Sequence, residues 1–128
     1  MRHEVSHQPF SATLSHTVSN GICPMQTIHP KDFTGSRAWE ALPIATLQGS
    51  TTVRLHWTDQ PYKWHVNDGH EVFVVVDGCV HMHTRTDGQE QVHVLQVGDI
   101  FYAEPGDEHV AHPQGAARVL VIEREGSV

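Results

Sequence analysis

The stretch Trp64–Gly78, WHVNDGHEVFVVVDG, decides the fold of this chain. It carries four nitrogen or oxygen donors within seven residues, and an apolar run follows at once and ends at an Asp-Gly turn. Imidazole, amide and carboxylate groups that open onto a buried strand are what a metal pocket inside a β-barrel requires. The stretch therefore predicts a metal pocket, and its donors are His65, Asn67, His70 and Glu71.

Short alternating segments and turns continue this pattern through the chain. In Thr52–Trp57, apolar and polar residues alternate, which is typical of a half-buried strand. Asp-Gly and Pro-Gly turns recur, no segment has a helical period, and only Pro30–Phe33 is predicted to form a helical turn. The fold class is therefore all-β. The predicted strands are Met25–Ile28, Leu42–Leu47, Thr52–Trp57, Tyr62–Asn67, Glu71–Val76, Cys79–Arg85, Val92–Val97, Ile100–Ala103, His109–His112 and Arg118–Arg124.

Size and charge restrict the class of partner. With 128 residues, the chain is most simply one domain. Fifteen acidic and eight basic residues give a formal charge of −7, which disfavours nucleic acid and anionic membranes as partners. Twelve histidines are spread through the sequence, and a mononuclear metal site uses only two to four of them.

The N-terminal region and the cysteines predict a cytoplasmic protein. Residues 1–24 are polar and unpatterned, so we expect a loosely ordered extension before a single domain at 25–128, with Met25 as an alternative start. The first residues lack the apolar run of a secretory signal, and no segment is apolar enough to span a membrane. Cys23 and Cys79 lie far apart, which favours reduced thiols, although a bridge between them stays open.

Two motifs in residues 52–123 resemble those of the cupin superfamily. The first cupin motif has two histidines one residue apart, then a glutamate, six residues and a glycine. This chain has His65, Asn67 in place of the second histidine, Glu71 and Gly78. The second motif runs from a glycine through Pro-x-Gly to a histidine. This chain has Gly98, Pro105-Gly106 and His109, with one residue shifted and with Pro113 where asparagine is usual.

The resemblance is to small single-domain bacterial cupins of unknown function, and it implies a double-stranded β-helix, or jelly-roll barrel. By this resemblance, His65, Glu71 and His109 bind one divalent transition metal ion: Fe, Mn, Ni or Zn. Asn67 stands in a ligand's position, where its amide oxygen binds the metal directly, binds through water or only lines the pocket. Cupins commonly form homodimers, so we expect a homodimer here.

Strand alternation sorts the remaining candidates. His70 is adjacent to Glu71, so alternation points it away from the barrel, but the Asp68-Gly69 turn can change that register and keeps His70 as a reserve ligand. Four further residues are predicted to line the pocket, because they share a face with a ligand or lie on a cleanly alternating strand. These residues are Lys63, Phe73, His56 and His81.

Three functions are compatible with the sequence. The first is a metal-dependent enzyme of the dioxygenase, isomerase or decarboxylase type that acts on a small organic molecule such as an organic acid. The second is a non-catalytic, possibly metal-free, module that binds a small ligand as a sensor. The third, ranked last, is a metal-free sugar-modifying barrel with a histidine as general base, which needs a His–Asp pair and an opposed tyrosine.

Overall fold

The computed structural model describes residues 25–127, which contain nine β-strands, one 3-10 helix and no α-helix. This content confirms the all-β prediction. The helical turn predicted at Pro30–Phe33 is also confirmed. The 3-10 helix is Pro30–Asp32, and the strands are β1 Glu40–Leu47, β2 Thr51–Thr58, β3 His65–Val66, β4 Glu71–Asp77, β5 Val80–Thr86, β6 Gln89–Leu95, β7 Ile100–Ala103, β8 Glu108–Pro113 and β9 Ala117–Arg124.

The strands form two antiparallel sheets whose neighbours come from distant parts of the chain. One sheet has the order β1-β2-β9-β4-β7, and the other has the order β3-β8-β5-β6. Strand β9 lies between β2 and β4, so the end of the described chain closes the centre of the first sheet. This interleaving is the connectivity of a jelly roll, in which consecutive strands pass between the two sheets.

The core lies between the two sheets and follows the predicted alternation. On β4, Glu71, Phe73 and Val75 are buried, whereas the residues between them are only half-buried. This observation confirms that these three side chains share one face. The buried core residues are Phe73, Val75, Val80, Met82, Leu95, Ala111, Ala117, Val119 and Val121.

The apolar face of β2 lies outside this core. Leu55 is buried in a second cluster with Phe33 and Leu42, against which Trp57 packs. Because successive strand residues point to opposite faces, the polar residues between them face the barrel interior. The segment around Phe33 covers this apolar face of β2. Arg118 binds this covering segment, because its Nε donates to the carbonyl of Phe33 at 2.7 Å.

Two predicted strands are absent or much shorter in the structure. Met25–Ile28 has no strand conformation. The side chain of Ile28 instead packs against the second cluster around Leu55, here called the outer cluster. The predicted strand Tyr62–Asn67 is reduced to His65–Val66. Tyr62 makes only an isolated backbone bond to Ala111, at 3.0 Å, and does not continue the ladder.

The structure explains why the first motif has glycine at position 78. Its φ of 84° is in the left-handed region, which glycine adopts at low cost. A Cβ at this position would lie 2.7 Å from the carbonyl oxygen of Ala116. The turn after β4 therefore requires glycine at position 78, and this explains the spacing between Glu71 and the glycine in the motif.

Some sequence predictions fall outside the described residues. The loosely ordered extension 1–24 and Cys23 lie there, so the predicted domain boundaries and the open question of a Cys23–Cys79 bridge stay predictions. Within residues 25–127, no helix is both long and apolar enough to span a membrane.

Candidate metal centre in the barrel cavity

Three strands bring His65, Glu71 and His109 together. His65 on β3 is paired directly with His109 on β8, and their ring centroids are 4.4 Å apart. Glu71, the first residue of β4 in the other sheet, places Oε1 3.2 Å from Nε2 of His109. One potential ligand atom from each residue lies within 4.8 Å of the other two, and this is the one such group of three or more in the described chain.

Backbone contacts orient the ring of His65. Its Nδ1 lies 3.0 Å from the carbonyl oxygen of Lys63. A carbonyl only accepts, so Nδ1 carries the proton and donates, and Nε2 keeps a free lone pair for a metal. Such a contact commonly fixes the tautomer of a metal-binding histidine.

Glu71 provides the test of whether a cation fits. Its Oε1 is buried and has no hydrogen-bond partner among the described residues. A buried carboxylate oxygen without a hydrogen bond is costly, so this position favours a bound cation. Two ligands that bind one ion at about 2.1 Å and at a right angle lie about 3.0 Å apart, close to the 3.2 Å between Glu71 and His109. The residues fit a divalent metal ion.

The three residues lie in the wall of a cavity of about 310 Å³. This volume is at the small end of the range for ligand sites. Aromatic, apolar and charged side chains share the wall. The lining residues are Trp39, Arg54, His56, Tyr62, His65, Glu71, Phe73, Met82, His109, Ala111, Val121, Glu123 and Ser127.

An ion pair and a histidine give the cavity its remaining polarity. Arg54 Nη2 donates to Oε2 of Glu123 at 2.6 Å. Burial raises the pKa of Glu123, and the nearby Glu71 raises it further, against the effect of Arg54. Burial lowers the pKa of His56, whose Nδ1 donates to the carbonyl of Trp39 at 3.0 Å. His56 is therefore held neutral beside the candidate ligands.

The other predicted site residues are placed differently. Phe73 and His56 line the cavity as expected. Asn67 is buried, but it does not line the cavity, and its amide nitrogen donates to the carbonyl of Gly69 at 3.3 Å. His70 is exposed and shares a hydrogen bond of 2.6 Å with the hydroxyl of Tyr102, in agreement with the outward direction that alternation predicts.

Lys63 and His81, predicted to line the pocket, are not among the lining residues. Lys63 is exposed and contributes its carbonyl to His65 rather than its amine to the cavity. Met82 on β5 faces the cavity, so the adjacent His81 points to the opposite face of the sheet.

Sequence reasoning missed Arg54 and Glu123 as cavity residues. The signal was present in the alternation, because Arg54 shares a face of β2 with His56, and Glu123 shares a face of β9 with Val119 and Val121. The prediction that His56 lines the pocket implied that this face of β2 points inward, but it was not extended to Arg54. The outer cluster around Leu55 decides that direction.

Comparisons with known proteins find similarity in structure alone: no family model and no curated protein matches the chain. A cupin-2 domain containing protein from Shewanella frigidimarina is 24% identical, with a TM-score of 0.63 over 71% of this chain and 85% of that one. An RmlC-like cupin from the same organism is 23% identical, with a TM-score of 0.51 over 59% and 66%.

A third similar structure is the hydroxypropylphosphonic acid epoxidase from S. wedmorenis. It is 15% identical, with a TM-score of 0.57 over 65% of this chain and 49% of that one, so the chain spans about half the length of the epoxidase. These likenesses and the two interleaved antiparallel sheets establish the architecture that the sequence motifs predicted. The chain has the double-stranded β-helix fold of the cupins.

Proposed function

We propose that this protein binds one divalent transition metal ion through His65, Glu71 and His109, and that it binds and acts on a small organic molecule in the adjoining cavity. One observation carries the proposal. Two imidazoles converge in the cavity wall with a carboxylate whose buried Oε1 has no hydrogen-bond partner among the described residues. Iron, manganese, nickel and zinc all accept such a set of ligands.

The residues around the ligands suit chemistry on a bound molecule. A bound divalent ion would supply a Lewis acid that polarises an oxygen of the ligand. Tyr62 packs edge-on against His65, with ring centroids 5.3 Å apart, and Phe101 packs in the same way against His109, at 5.5 Å. These rings shield the imidazoles from water and hold their orientation, which favours a positioned reaction over hydrolysis.

The similar structures support a small substrate. The name of the hydroxypropylphosphonic acid epoxidase gives it an oxidative reaction on a small organic acid. We extend to this chain only the coarser expectation of a metal-dependent enzyme, of the dioxygenase, isomerase or decarboxylase type. A cytoplasmic location is part of the proposal.

Metal analysis tests the ligand set directly. Protein purified without a chelating column, then loaded with each candidate metal and dialysed, is expected to retain about one ion per chain by elemental analysis. The variants His65→Ala and His109→Ala are expected to retain little. His83→Ala is the matched control, because His83 lies on β5 outside the cavity lining. A wild-type protein that retains no metal would contradict the proposal.

Turnover tests the second part of the proposal. Metal-loaded protein is assayed with panels of oxygenase, isomerase and decarboxylase substrates, beside His65→Ala treated with the same metal. Conversion that disappears in the variant supports an enzyme. Tight binding without conversion would instead favour the non-catalytic sensor.

We also propose a homodimer formed through the outer surface near β7. Ile100 and Tyr102 are 65% and 52% exposed, and Val97 before them is 61% exposed. Contiguous apolar side chains of this size commonly mark an interface between proteins. Light scattering tests this expectation, and a monomer at micromolar concentration would contradict it.

A further inference from the structure

We infer that Arg54 makes the cavity selective for small organic carboxylates. The inference deepens the proposed function and rests on it, because it names the class of molecule that binds beside the proposed metal ligands. Arg54 lies on β2, on the same inward face as His56. Among the cavity-lining residues of the described chain, it is the one arginine or lysine.

The guanidinium of Arg54 has unused hydrogen-bonding capacity. Only Nη2 has a partner, Oε2 of Glu123, and Nε is buried without a partner among the described residues. The side chain is 32% exposed, so it is not sealed by its ion pair. A guanidinium is a planar fork that binds carboxylates through two parallel bonds. Because Nε is buried, the donors that Glu123 leaves for a second carboxylate are those of Nη1 and the second proton of Nη2.

The charges in the cavity favour an anion once a metal is bound. Arg54 contributes one positive charge, and Glu71 and Glu123 contribute two negative charges. A divalent ion would change this balance from one net negative to one net positive charge. Because a partly buried site disfavours uncompensated charge, a ligand with one negative charge completes it better than a neutral ligand does.

The walls limit the size of such an anion. The cavity has a volume of about 310 Å³, and aromatic side chains, including Trp39, Tyr62 and Phe73, form part of its wall. A short carbon skeleton fits against these rings while its carboxylate meets Arg54. The cavity thus matches a small monocarboxylic acid better than a sugar or a nucleotide, whose many hydroxyl or phosphate groups need more polar partners.

A purely structural role for Arg54 gives a different expectation. In that case the Arg54–Glu123 pair would only hold β2 to β9, and its loss would lower stability without changing which ligands bind. The two roles separate when binding of an acid is compared with binding of its neutral amide. The amide has nearly the same shape and lacks the charge.

The experiment titrates metal-loaded protein with formate, acetate, pyruvate and lactate, each beside its amide, and follows tryptophan fluorescence, because Trp39 lines the cavity. In the wild type, we expect at least one acid to bind about tenfold or more tightly than its amide. Arg54→Gln should remove this preference. Arg124→Gln, an exposed arginine paired with Asp68, is the matched control and should retain it.

A second variant guards against misfolding, because Arg54→Gln leaves Glu123 buried and unpaired. The double variant Arg54→Gln with Glu123→Gln removes both charges and leaves the net charge of the cavity unchanged. It should also lose the preference for the acid, because the guanidinium donors that bind the carboxylate are gone although the net charge is kept. Equal binding of every acid and its amide by the wild type, or an intact preference in the double variant, would overturn the role of Arg54.

Elemental analysis of the same samples separates this inference from the proposed function. If the wild type holds no metal, the proposed function fails, and the metal-free titrations decide on Arg54 alone: an acid preference that Arg54→Gln loses supports its role, and no preference in the wild type overturns it. If metal is retained in every variant and no acid is preferred, only the inference about Arg54 fails.

Discussion

Two histidine pairs lie on opposite faces of the four-stranded sheet, and only one of them has the features of a metal centre. The rings of His65 and His109 face the cavity, with centroids 4.4 Å apart. The rings of His83 and His112 lie on the outer face, at 4.3 Å. Ring separation alone therefore does not distinguish the two pairs.

The carboxylate beside each pair makes the difference. Glu71 lies 3.2 Å from His109, with side chains 11% and 3% exposed. Glu90 lies 3.9 Å from His83, with side chains 55% and 28% exposed. The outer carboxylate is exposed, whereas Oε1 of the inner one is buried and has no hydrogen bond among the described residues. A buried carboxylate without a partner thus marks the site better than a cluster of imidazoles.

The largest expected effect separates the two carboxylates by metal affinity. Glu71→Gln should weaken divalent metal binding by at least about 100-fold, because a neutral amide replaces the anionic ligand. Glu90→Gln should leave the affinity unchanged. Competition with a chelator of known affinity measures both. Equal losses in the two variants would place the metal outside the cavity.

The second effect concerns the protein without metal. Glu71→Gln should raise the free energy of unfolding by about 1–2 kcal/mol, because it removes a buried charge that lacks compensation. Glu90→Gln should change it by less than about 0.5 kcal/mol. Urea unfolding in excess chelator measures the difference. A destabilised Glu71→Gln variant would show that the carboxylate is compensated within the protein itself.

The smallest expected effect tests the outer pair through pH. Burial lowers the pKa of His112, and the neighbouring His83 and His81 lower it further. The folded protein therefore favours the neutral ring, and this contribution to stability is present above the ordinary pKa of 6.5 and is lost as the pH falls below it.

The measurement compares urea unfolding at about pH 7.5 and about pH 5.5 in wild type and His112→Gln, with chelator present. The wild type should lose more stability on acidification than the variant does. The difference should be small, because the ring of His112 remains partly solvated. Parallel losses in the two proteins would mean that His112 contributes nothing to the acid sensitivity.

Much of the fold could be read from the pattern of the sequence. The strand Ile100–Ala103 was predicted with the bounds that the structure gives, and the shared face of Glu71, Phe73 and Val75 was predicted from alternation. The predicted strand Val92–Val97 lies instead at Gln89–Leu95. The strand ends at Leu95 because a turn follows it, in which the backbone amide of Asp99 donates to the carbonyl of Gln96. The apolar residues of this stretch did not predict that turn.

The candidate site could be predicted only in part. The motif resemblance gave His65, Glu71 and His109, which the structure brings together. Asn67 was judged by its position in the motif. In the structure its amide group bonds the backbone of the Asp68-Gly69 turn, a contact that depends on local backbone geometry and leaves no trace in the spacing of residues.

The sequence by itself determined the alternating strands, the turns between them and the donors of one cavity wall, because these depend on residues close together in the chain. Only the tertiary structure decided that β2 turns Arg54 and His56 inward, since the covering segment around Phe33 and Leu42 buries its apolar face from outside. Only the register of β3 against β8 set His65 beside His109. Burial between the two sheets then left Oε1 of Glu71 without a hydrogen bond among the described residues, and that is the physical reason why the inner histidine pair has the features of a metal centre.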